Sequence, residues 1–307
     1  MGVLIFGSLN LDIVTYLERM PLPGETVVGD KFETFPGGKG LNQAVAAARA
    51  GGAVAMVGVL GNDSNSELLN NVMNTEGISN EGIRKIQGAC GTAIIEVDHQ
   101  GQNRIIVIAG ANADLKSSDL TDSLMNKVAG KQILLSQLES PILEVEAAFK
   151  KAKAAGFYTL LNPAPAKVIS DSFYSVIDLI IPNQFEAEFL TQVKVVDLDS
   201  AITAGKKLLA KGANAALITM GEDGAVLVEE NNEKLYKTFK VESIDSTAAG
   251  DAFCGALATR LSEGLDLDTA IRFATAAGAL SVQQKGATVS LPKRDDILKL
   301  MSSEKEL

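Results

Sequence analysis

The sequence predicts an α/β fold in which a mostly parallel central sheet is flanked by helices on both faces and carries a small β-sheet lid. First, apolar runs of strand length alternate with helical patterns along most of the 307 residues, which is typical of a covered parallel sheet. Second, two β-rich segments in the first third interrupt this alternation. Third, no linker-like composition separates these segments from the rest. We therefore expect a single domain over residues 1–307, with a discontinuous lid from about 12–40 and 90–109.

The elements of the central sheet follow from short apolar runs bounded by turn-forming residues. Expected strands lie at 3–7, 54–59, 132–137, 157–161, 178–182 and 215–220, with an antiparallel pair at 226–228 and 235–239. Expected helices lie at 42–49, 64–74, 141–155, 184–191, 201–211, 251–263 and 268–284, with one more from 117 and another from 294. In the lid, runs at 92–98 and 104–108 are joined by His99-Gln-Gly-Gln, which predicts a hairpin.

Composition excludes several classes of function. The formal net charge of −10 and the pI near 4.8 argue against nucleic acid or an anionic membrane as a partner. Two cysteines and one histidine are too few for a zinc-ligand cluster or a disulfide framework. No apolar run approaches the length of a membrane span, and the first residues are too few for a signal peptide before a strand begins. We therefore expect a cytoplasmic protein.

The stretch 243–257 carries the strongest signal for chemistry. Ala248, Ala249 and Gly250 lead directly into Asp251, which is expected to open a helix. Small residues at a helix N-terminus leave backbone N–H groups free, and the helix dipole favours an anion such as phosphate there. The same dipole keeps Asp251 ionised, so that it can accept a proton from a hydroxyl group. Taken alone, however, the segment favours an ordinary helix with Asp251 as its N-cap.

Polar side chains follow several predicted strands, at the edge where α/β proteins bind ligands. They are Asn10 and Asp12 after 3–7, Glu139 after 132–137, Asn183 and Glu186 after 178–182, and the segment 221–224 after 215–220. Each of them taken singly could be a helix cap or a loop residue. Together, carboxylates and amides without a basic cluster suit a neutral polyhydroxyl ligand.

The glycine-rich segment 36–40 (PGGKG) is not a phosphate-binding P-loop. Glu33 stands where that motif needs its first glycine, and Gly40 stands where it needs serine or threonine. No G-x-G-x-x-G follows the first strand, so a nicotinamide-binding site is unsupported as well. The double glycine instead allows the backbone to approach a ligand and the lid to hinge near residues 37–38. Lys39 is either a ligand-binding residue or a solvated surface charge.

Six segments together resemble the phosphofructokinase-B-type (ribokinase-like) sugar kinase family. They are GSLNLD (7–12), PGGKGLNQAVAAA (36–48), GANA (110–113), LNPAPA (161–166), PNQFEAE (182–188) and AAGD (248–251). The resemblance covers essentially the whole chain. The AAGD and NxxE elements are family-wide, whereas the first two segments are more specific to the members that phosphorylate ribose.

The resemblance implies ATP-dependent phosphorylation of D-ribose at O5, giving D-ribose 5-phosphate. It implies that Asp251 is the general base and that the amides of Ala248, Ala249 and Gly250 form the anion hole. The residues that it implies for the sugar, besides Asp251, are Asn10, Asp12, Gly38, Lys39, Asn42 and Glu139.

For the nucleotide and its metal ions, the resemblance implies ATP, Mg²⁺ and an activating K⁺. The ATP site would comprise Asn183, Glu186, Thr219, Gly221, Gly224, Gly250 and Thr275. Within it, Glu186 and Asn183 would order Mg²⁺ and its waters, and their spacing of three is expected to place them on one helix face. Related kinases have a larger polar residue than threonine at the position of Thr275, near adenine. The K⁺ site would comprise Asp245, the Thr247 carbonyl, Ser281, Gln284, Gly286 and Ser290.

Several alternatives remain open at this point. Asp245 could cap its own turn through Ser246 or Thr247 instead of holding a cation. The substrate could be deoxyribose, fructose or a nucleoside, and a non-catalytic sugar- or nucleotide-binding regulator on the same fold is a further possibility. Because a lid sheet with exposed edges can pair with a copy of itself, we expect a homodimer formed through the lid.

Overall fold

The computed structural model describes residues 2–128 and 130–303, which form two β-sheets and the helices that cover the larger one. The strands are β1 (Val3–Phe6), β2 (Asn10–Leu17), β3 (Lys31–Gly37), β4 (Val54–Leu60), β5 (Ser79–Lys85), β6 (Gly91–Asp98), β7 (Asn103–Ile108), β8 (Ile133–Ser136), β9 (Tyr158–Leu161), β10 (Leu179–Ile180), β11 (Ala215–Thr219), β12 (Ala225–Glu229) and β13 (Asn232–Tyr236). The helices are α1 (Lys39–Arg49), α2 (Ser64–Thr75), α3 (Asp122–Met125), α4 (Ile142–Ala154), α5 (Asp171–Tyr174), α6 (Gln184–Thr191), α7 (Leu198–Ala210), α8 (Ala249–Ser262), α9 (Leu267–Ser281) and α10 (Arg294–Ser303).

The main sheet has nine strands in the order β13-β12-β11-β10-β9-β8-β1-β4-β5. Its strands from β11 to β5 pair in parallel, and only β12 and β13 join in antiparallel fashion. The small sheet has the order β3-β2-β6-β7, with β2 and β6 parallel at its centre. Its strands come from the two β-rich segments of the first third. The predicted mostly parallel α/β architecture with a separate small sheet is therefore confirmed.

The main sheet buries an apolar layer on each face. Along β1, Val3 and Ile5 point into a cluster that includes residues of α1, α8 and α9. The alternating residues Leu4 and Phe6 point into a second cluster that includes residues of α4 and α5. All four side chains have no exposed surface. Side chains alternate between faces along a strand, so a strand that is apolar at every position requires helices on both sides.

Several elements differ from the expectation. β5 forms an edge of the main sheet, although its sequence SNEGIRK lacks an apolar run. The helix expected from residue 117 is replaced by a 3₁₀ turn and the four-residue α3, because carboxylates capture nearby backbone N–H groups: Asp119 accepts from Lys116 and Glu144 from Ser117. α8 begins at Ala249, two residues before the expected start.

Within residues 2–128 and 130–303, no helix combines the length and hydropathy needed to cross a bilayer.

Candidate active site

Asp251 lies in the first turn of α8 and is 5% exposed. The helix is entered through Ala248, whose backbone adopts a left-handed conformation with φ of 61°. Two side chains of α1 hold the Asp251 carboxylate: Asn42 Nδ2 donates to Oδ2 at 3.1 Å and Gln43 Nε2 donates to Oδ1 at 2.9 Å. Burial raises the pKa of Asp251, and the charge of Lys39 opposes that rise more than either hydrogen bond does.

The backbone amides in front of α8 are in different environments. The Ala249 N–H donates to the Ser246 carbonyl at 3.2 Å, so this amide, expected to be free, has an intramolecular partner. The Gly250 N–H makes no backbone hydrogen bond within the part of the chain that the structure describes. Gly250 also faces open space, because a Cβ added there would meet no heavy atom within 4 Å. The unpaired Gly250 amide and the positive end of the helix dipole therefore point to an accessible anion site.

The turn between β3 and α1 brings two predicted sugar-binding segments into contact. Gly38 is the N-cap of α1 and has φ of 85°, a conformation that favours glycine. A Cβ at this position would also lie 2.8 Å from the backbone nitrogen of Asn10. Asn10 is buried at the start of β2, where it pairs with Gly37. Glycine is thus needed here both for the backbone conformation and for the close approach of β2.

Glu139 connects the loop after β8 to the start of α1. Its Oε2 accepts hydrogen bonds from the Ser8 hydroxyl at 2.6 Å and from the Lys39 N–H at 2.9 Å. A carboxylate beside the first amide of a helix stabilises that end through the helix dipole. The sequence suggested that this helix begins at Asn42. The capping by Glu139 explains why α1 begins at Lys39 instead.

The charged groups around Asp251 influence one another. Asp12, at the start of β2, has its pKa raised to about 7 by burial and then by the charges of Glu139 and Asp251. Its carboxylate accepts no hydrogen bond from any residue in the described ranges. The charge of Asp251 in turn raises the pKa of Lys39, with further contributions from Glu139 and Glu186. Lys39 therefore interacts electrostatically with four carboxylates, which come from four separate segments of the chain.

Buried amide groups complete this side of the site. Asn112 Nδ2 donates to Asn10 Oδ1 at 2.7 Å, and Asn112 Oδ1 accepts from the Leu9 N–H at 2.9 Å. The Asn42 Oδ1 atom is buried without a hydrogen-bond partner among the described residues. A buried polar atom without a partner is costly, so a ligand hydroxyl that donates to Asn42 would relieve a deficit.

Asn183 and Glu186 form a capping box at the start of α6. The Asn183 side chain accepts from the Glu186 N–H at 2.8 Å, while Glu186 Oε2 accepts from the Asn183 N–H at 2.9 Å. The expectation that both lie on one helix face is corrected here, because Asn183 has extended backbone angles and precedes the helix. Glu186 is buried, and burial raises its pKa.

Thr219, the other predicted nucleotide residue at a strand end, lies beside Asn183, whereas the hydroxyl of Thr275 is hydrogen-bonded within its own helix. Thr219, at the end of β11, pairs with Asn183 and donates its N–H to Pro182. Gly221 and Gly224 flank the next turn with φ of 59° and 97°. The hydroxyl of Thr275 donates to the Ile271 carbonyl within α9 at 2.9 Å, so it is satisfied inside the helix.

The predicted cation site joins two chain segments through Asp245. Its Oδ1 accepts from the Thr247 N–H and hydroxyl at 2.9 and 2.6 Å, which is the turn capping considered above. Its Oδ2 accepts from the Gly286 N–H at 2.9 Å. The hydroxyls of Ser281 and Ser290 donate to carbonyls three residues earlier, and the Ser281 carbonyl accepts from the Gln284 N–H at 3.4 Å. The hydrogen bonds from Thr247 and Gly286 outweigh burial and lower the pKa of Asp245.

Sequence reasoning assigned no role to three buried amides beside Asp251 and Asn10. Gln43 donates to the carboxylate of Asp251, Asn162 accepts from Gln43, and Asn112 donates to Asn10. All three stand in segments that carry the family resemblance, so the signal was present in the sequence. Their hydrogen-bond partners lie in distant segments of the chain, and spacing within one segment does not reveal such contacts.

Comparison with known proteins decides the family. The profile described as pfkB family carbohydrate kinase matches residues 2–294. The chain belongs to the pfkB family of carbohydrate kinases. It is 41% identical to ribokinase of Haemophilus influenzae over 298 residues, 97% of each chain. It is 34% identical to deoxyribokinase of Salmonella typhi, covering 98% of this chain and 99% of that one.

The solved structures agree with this assignment. The structure of Arabidopsis thaliana ribokinase complexed with ribose and ATP matches this kinase with a TM-score of 0.91. The two sequences are 30% identical, and the match covers 97% of this chain and 98% of that one. The family suggested by the six segments is therefore confirmed, and a nicotinamide-dependent dehydrogenase is excluded.

Proposed function

We propose that this kinase transfers the γ-phosphoryl group of ATP to O5 of D-ribose, giving ADP and D-ribose 5-phosphate. The observation that carries the proposal is the position of Asp251. It is a buried carboxylate held by two donors from α1, and it lies one residue after an unpaired amide that faces open space. A hydroxyl group and a phosphoryl group could meet at such a point. Relatives named ribokinase, one of them solved with ribose and ATP, support the choice of substrates.

In this mechanism Asp251 accepts the proton of the O5 hydroxyl as that oxygen forms its bond to the γ-phosphorus. The bond from phosphorus to the ADP oxygen breaks, and the electron pair leaves with ADP. The Gly250 amide and the dipole of α8 stabilise the negative charge on the transferring group. Phosphoryl transfer depends mainly on such positioning and charge stabilisation. Ala248 shapes the turn that presents these groups, and Ala249 fixes it through Ser246.

The sugar would bind between β2, α1 and the loop after β8. Asp12 offers acceptors, the NH₂ group of Asn10 and Lys39 offer donors, and Asn42 carries an unpaired buried oxygen. Glu139 has one carboxylate oxygen committed to α1, which leaves the other for a sugar hydroxyl. Gly38 lets the backbone approach the ligand. Deoxyribose is the second candidate, because a deoxyribokinase is 34% identical to this chain.

The nucleotide would bind beyond β10 and β11, beside Asn183, Thr219, Gly221 and Gly224. The Mg²⁺ that accompanies ATP neutralises charge on the phosphate oxygens. Glu186 fits a role in ordering its waters, because it is a buried carboxylate whose charge is felt by Lys39 and Asp251. Thr275 would contribute to adenine binding by packing, since its hydroxyl is already bonded within α9.

The residues proposed for K⁺ fit a large monovalent ion. They provide oxygen atoms with a single carboxylate, whereas a divalent ion attracts more carboxylates. The Asp245 carboxylate already ties the turn before α8 to Gly286. The carbonyl or hydroxyl oxygens of Thr247, Ser281, Gln284, Gly286 and Ser290 would complete the site. By stiffening residues 245–250, this site would hold the Gly250 amide in position for the phosphoryl group.

The small sheet is proposed as the lid over the sugar and as a dimer interface. The side chains of Ile105, Ile106, Val107 and Ile108 on its edge strand β7 are 50–56% exposed, an unusual concentration of apolar surface. A second copy of this sheet would bury them. Light scattering should give twice the monomer mass, and Ile106→Lys should reduce the measured mass.

We place the kinase in the cytoplasm, where ATP is available and where its two buried cysteines would stay reduced.

A coupled assay of ADP release over pentoses, hexoses and nucleosides tests the proposed function. We expect the highest kcat/KM with D-ribose and a lower value with 2-deoxyribose. A higher value with 2-deoxyribose would favour the second candidate. Sugar binding without any ADP release would instead support a non-catalytic regulator.

A further inference from the structure

A chain of three buried amides connects the backbone of the main sheet to Asp251. Asn162 Nδ2 donates to the Ile181 carbonyl at 3.0 Å, and Asn162 Oδ1 accepts from Gln43 Nε2 at 3.1 Å. The same Gln43 Nε2 donates to Asp251 Oδ1 at 2.9 Å, and Gln137 Nε2 donates to Gln43 Oε1. These side chains are at most 8% exposed. Asn162, Gln43 and Gln137 are called the amide chain below.

The direction of the hydrogen bonds in the amide chain is set by its backbone end. A carbonyl can only accept, so Asn162 must turn its NH₂ group to Ile181 and its oxygen to Gln43. Gln43 must then turn its NH₂ group to Asn162, and that group also reaches Asp251. A flipped Gln43 would place its oxygen against two other acceptors. The Gln137 oxygen has no partner among the described residues, so that amide is oriented by Gln43 and not by a bond of its own oxygen.

We propose that Gln43, oriented by Asn162 and contacted by Gln137, is a positioning residue that fixes the carboxylate of Asp251 and keeps it ready to accept the substrate proton. This inference rests on the proposed function of Asp251 as the base. Gln43 holds Oδ1 while Asn42 holds Oδ2, so the plane of the carboxylate is fixed by two donors from α1. Both donors favour the ionised carboxylate, which is the form that accepts the proton from O5 as the O5–phosphorus bond forms.

The surroundings of Asp251 offer little to replace Gln43. The charged and titratable groups that interact with it are Lys39, Asp12, Glu139 and Glu186 from neighbouring elements and Cys254 from α8 itself. Three of these are carboxylates, which disfavour a further negative charge. Burial also raises the pKa of Asp251, and only Lys39 opposes that rise more strongly than Gln43 does. Loss of the Gln43 donor should therefore appear directly in the protonation of Asp251.

The first test is Gln43→Met, which preserves length and removes both the donor and the acceptor. Because a hydrogen bond to a charged group is lost, kcat should fall about 10- to 100-fold, and the acidic limb of the kcat–pH profile should move upward by about one pH unit. KM for ribose and for ATP should change less than about threefold, since neither ligand contacts Gln43 in the proposed mechanism.

The matched control is Thr259→Val, which removes a buried hydrogen bond between the same two helices. Thr259 Oγ1 donates to the Ala47 carbonyl at 2.9 Å, eight residues beyond Asp251 along α8. This variant should lower thermal stability while leaving the pH profile at its wild-type position. A purely structural role for Gln43 would give the same result for both variants.

The amide chain is tested further with Asn162→Leu. Alone, it should lower kcat and shift the acidic limb in the same direction as Gln43→Met, because Gln43 loses the partner that orients it. Added to Gln43→Met, it should cause no further shift, since Asn162 acts on Asp251 through Gln43. Additive shifts would contradict the proposal. Asn162→Leu also provides the decisive comparison if Gln43→Met does not fold.

A readout that does not require turnover separates this inference from the proposed function. Carbon-13 labelling of aspartate carboxyls, with the Asp251 signal assigned through Asp251→Asn, follows the titration of Asp251 by NMR. An upward shift of that titration in Gln43→Met, and none in Thr259→Val, supports the positioning role even if ribose is not the substrate. An unchanged titration in Gln43→Met overturns the role, even if the wild-type protein phosphorylates ribose.

Discussion

Asp12 should make sugar binding depend on pH in the neutral range. Burial, followed by the charges of Glu139 and Asp251, raises the pKa of Asp12 to about 7. Its carboxylate accepts no hydrogen bond from the described residues, which leaves it available to sugar hydroxyls. Only the ionised form can accept two such hydrogen bonds without a competing proton. We therefore expect the affinity for ribose to fall as the pH falls from 8 to 6.

The size of this effect follows from the fraction of Asp12 that is ionised. With a pKa of about 7, about nine-tenths is ionised at pH 8 and about one-tenth at pH 6. Because apparent affinity scales with the competent fraction, Kd for ribose should rise about tenfold between these two values of pH. Asp12→Asn, which preserves shape and cannot titrate, should bind more weakly at pH 8 and show almost no dependence on pH.

Isothermal titration calorimetry without nucleotide is the appropriate assay, because ATP itself titrates in this range and the chain has no tryptophan for fluorescence. The measurement compares the wild-type protein with Asp12→Asn at pH 6, 7 and 8. A wild-type Kd that stays constant across this range would refute the reasoning. An equally steep dependence in Asp12→Asn would show that another group is responsible.

The same shift predicts the pH dependence of stability. Folding raises the pKa of Asp12 from 3.8 to about 7, so its protonated form is favoured in the folded state. The stability associated with this proton is fully present below pH 3.8 and is lost as the pH rises through about 7. A difference of about three pKa units corresponds to at most about 4 kcal/mol. Asp12→Asn should therefore raise the melting temperature at pH 8 and leave it nearly unchanged at pH 4.

Two further predictions concern the nucleotide and cation sites. Asn183→Ala should lower the free energy of unfolding by about 1 kcal/mol and raise KM for ATP, whereas Asp197→Ala, which breaks the exposed capping box of α7, should lower only stability. Equal KM values for ATP in both variants would count against a nucleotide role for Asn183. Asp245→Ala should abolish activation by potassium relative to an organic-amine buffer of equal ionic strength, whereas Asp266→Ala, which removes the N-cap of α9, should retain it. A potassium response that survives Asp245→Ala would place the cation elsewhere.

The architecture could be predicted because each buried strand of the main sheet is a continuous apolar run. β1 and β4 are buried at every position, which is typical of strands in a sheet covered on both faces. β5 could not be predicted in this way, since its sequence SNEGIRK is mostly polar. It forms a strand by pairing with β4 at the edge of the sheet, and local sequence does not reveal that pairing. Helix starts were also imprecise. α1 begins early because Glu139, 100 residues away, accepts from its first amide.

For the candidate site, the sequence indicated the types of residue better than their contacts. Asp251 and Asn42 were selected from separate segments, and the structure places them in hydrogen-bond contact. The spacing of Asn183 and Glu186 suggested a shared helix face, but the same spacing also defines a capping box, which is what forms. Gln43 was missed because its significance depends on Asn162 and Gln137, whose positions follow from the sheet topology and not from local pattern.

The central claim is that Asp251 is the base for phosphoryl transfer to a sugar hydroxyl, and Asp251→Asn tests it most directly. The variant retains an acceptor for one of the donors on α1 and loses the ability to take a proton at neutral pH. In the coupled ADP-release assay with D-ribose, kcat should fall by about 10² to 10⁴. Calorimetric affinities for ribose and ATP should change far less. A variant that turns over ribose at a near-native rate would contradict the account.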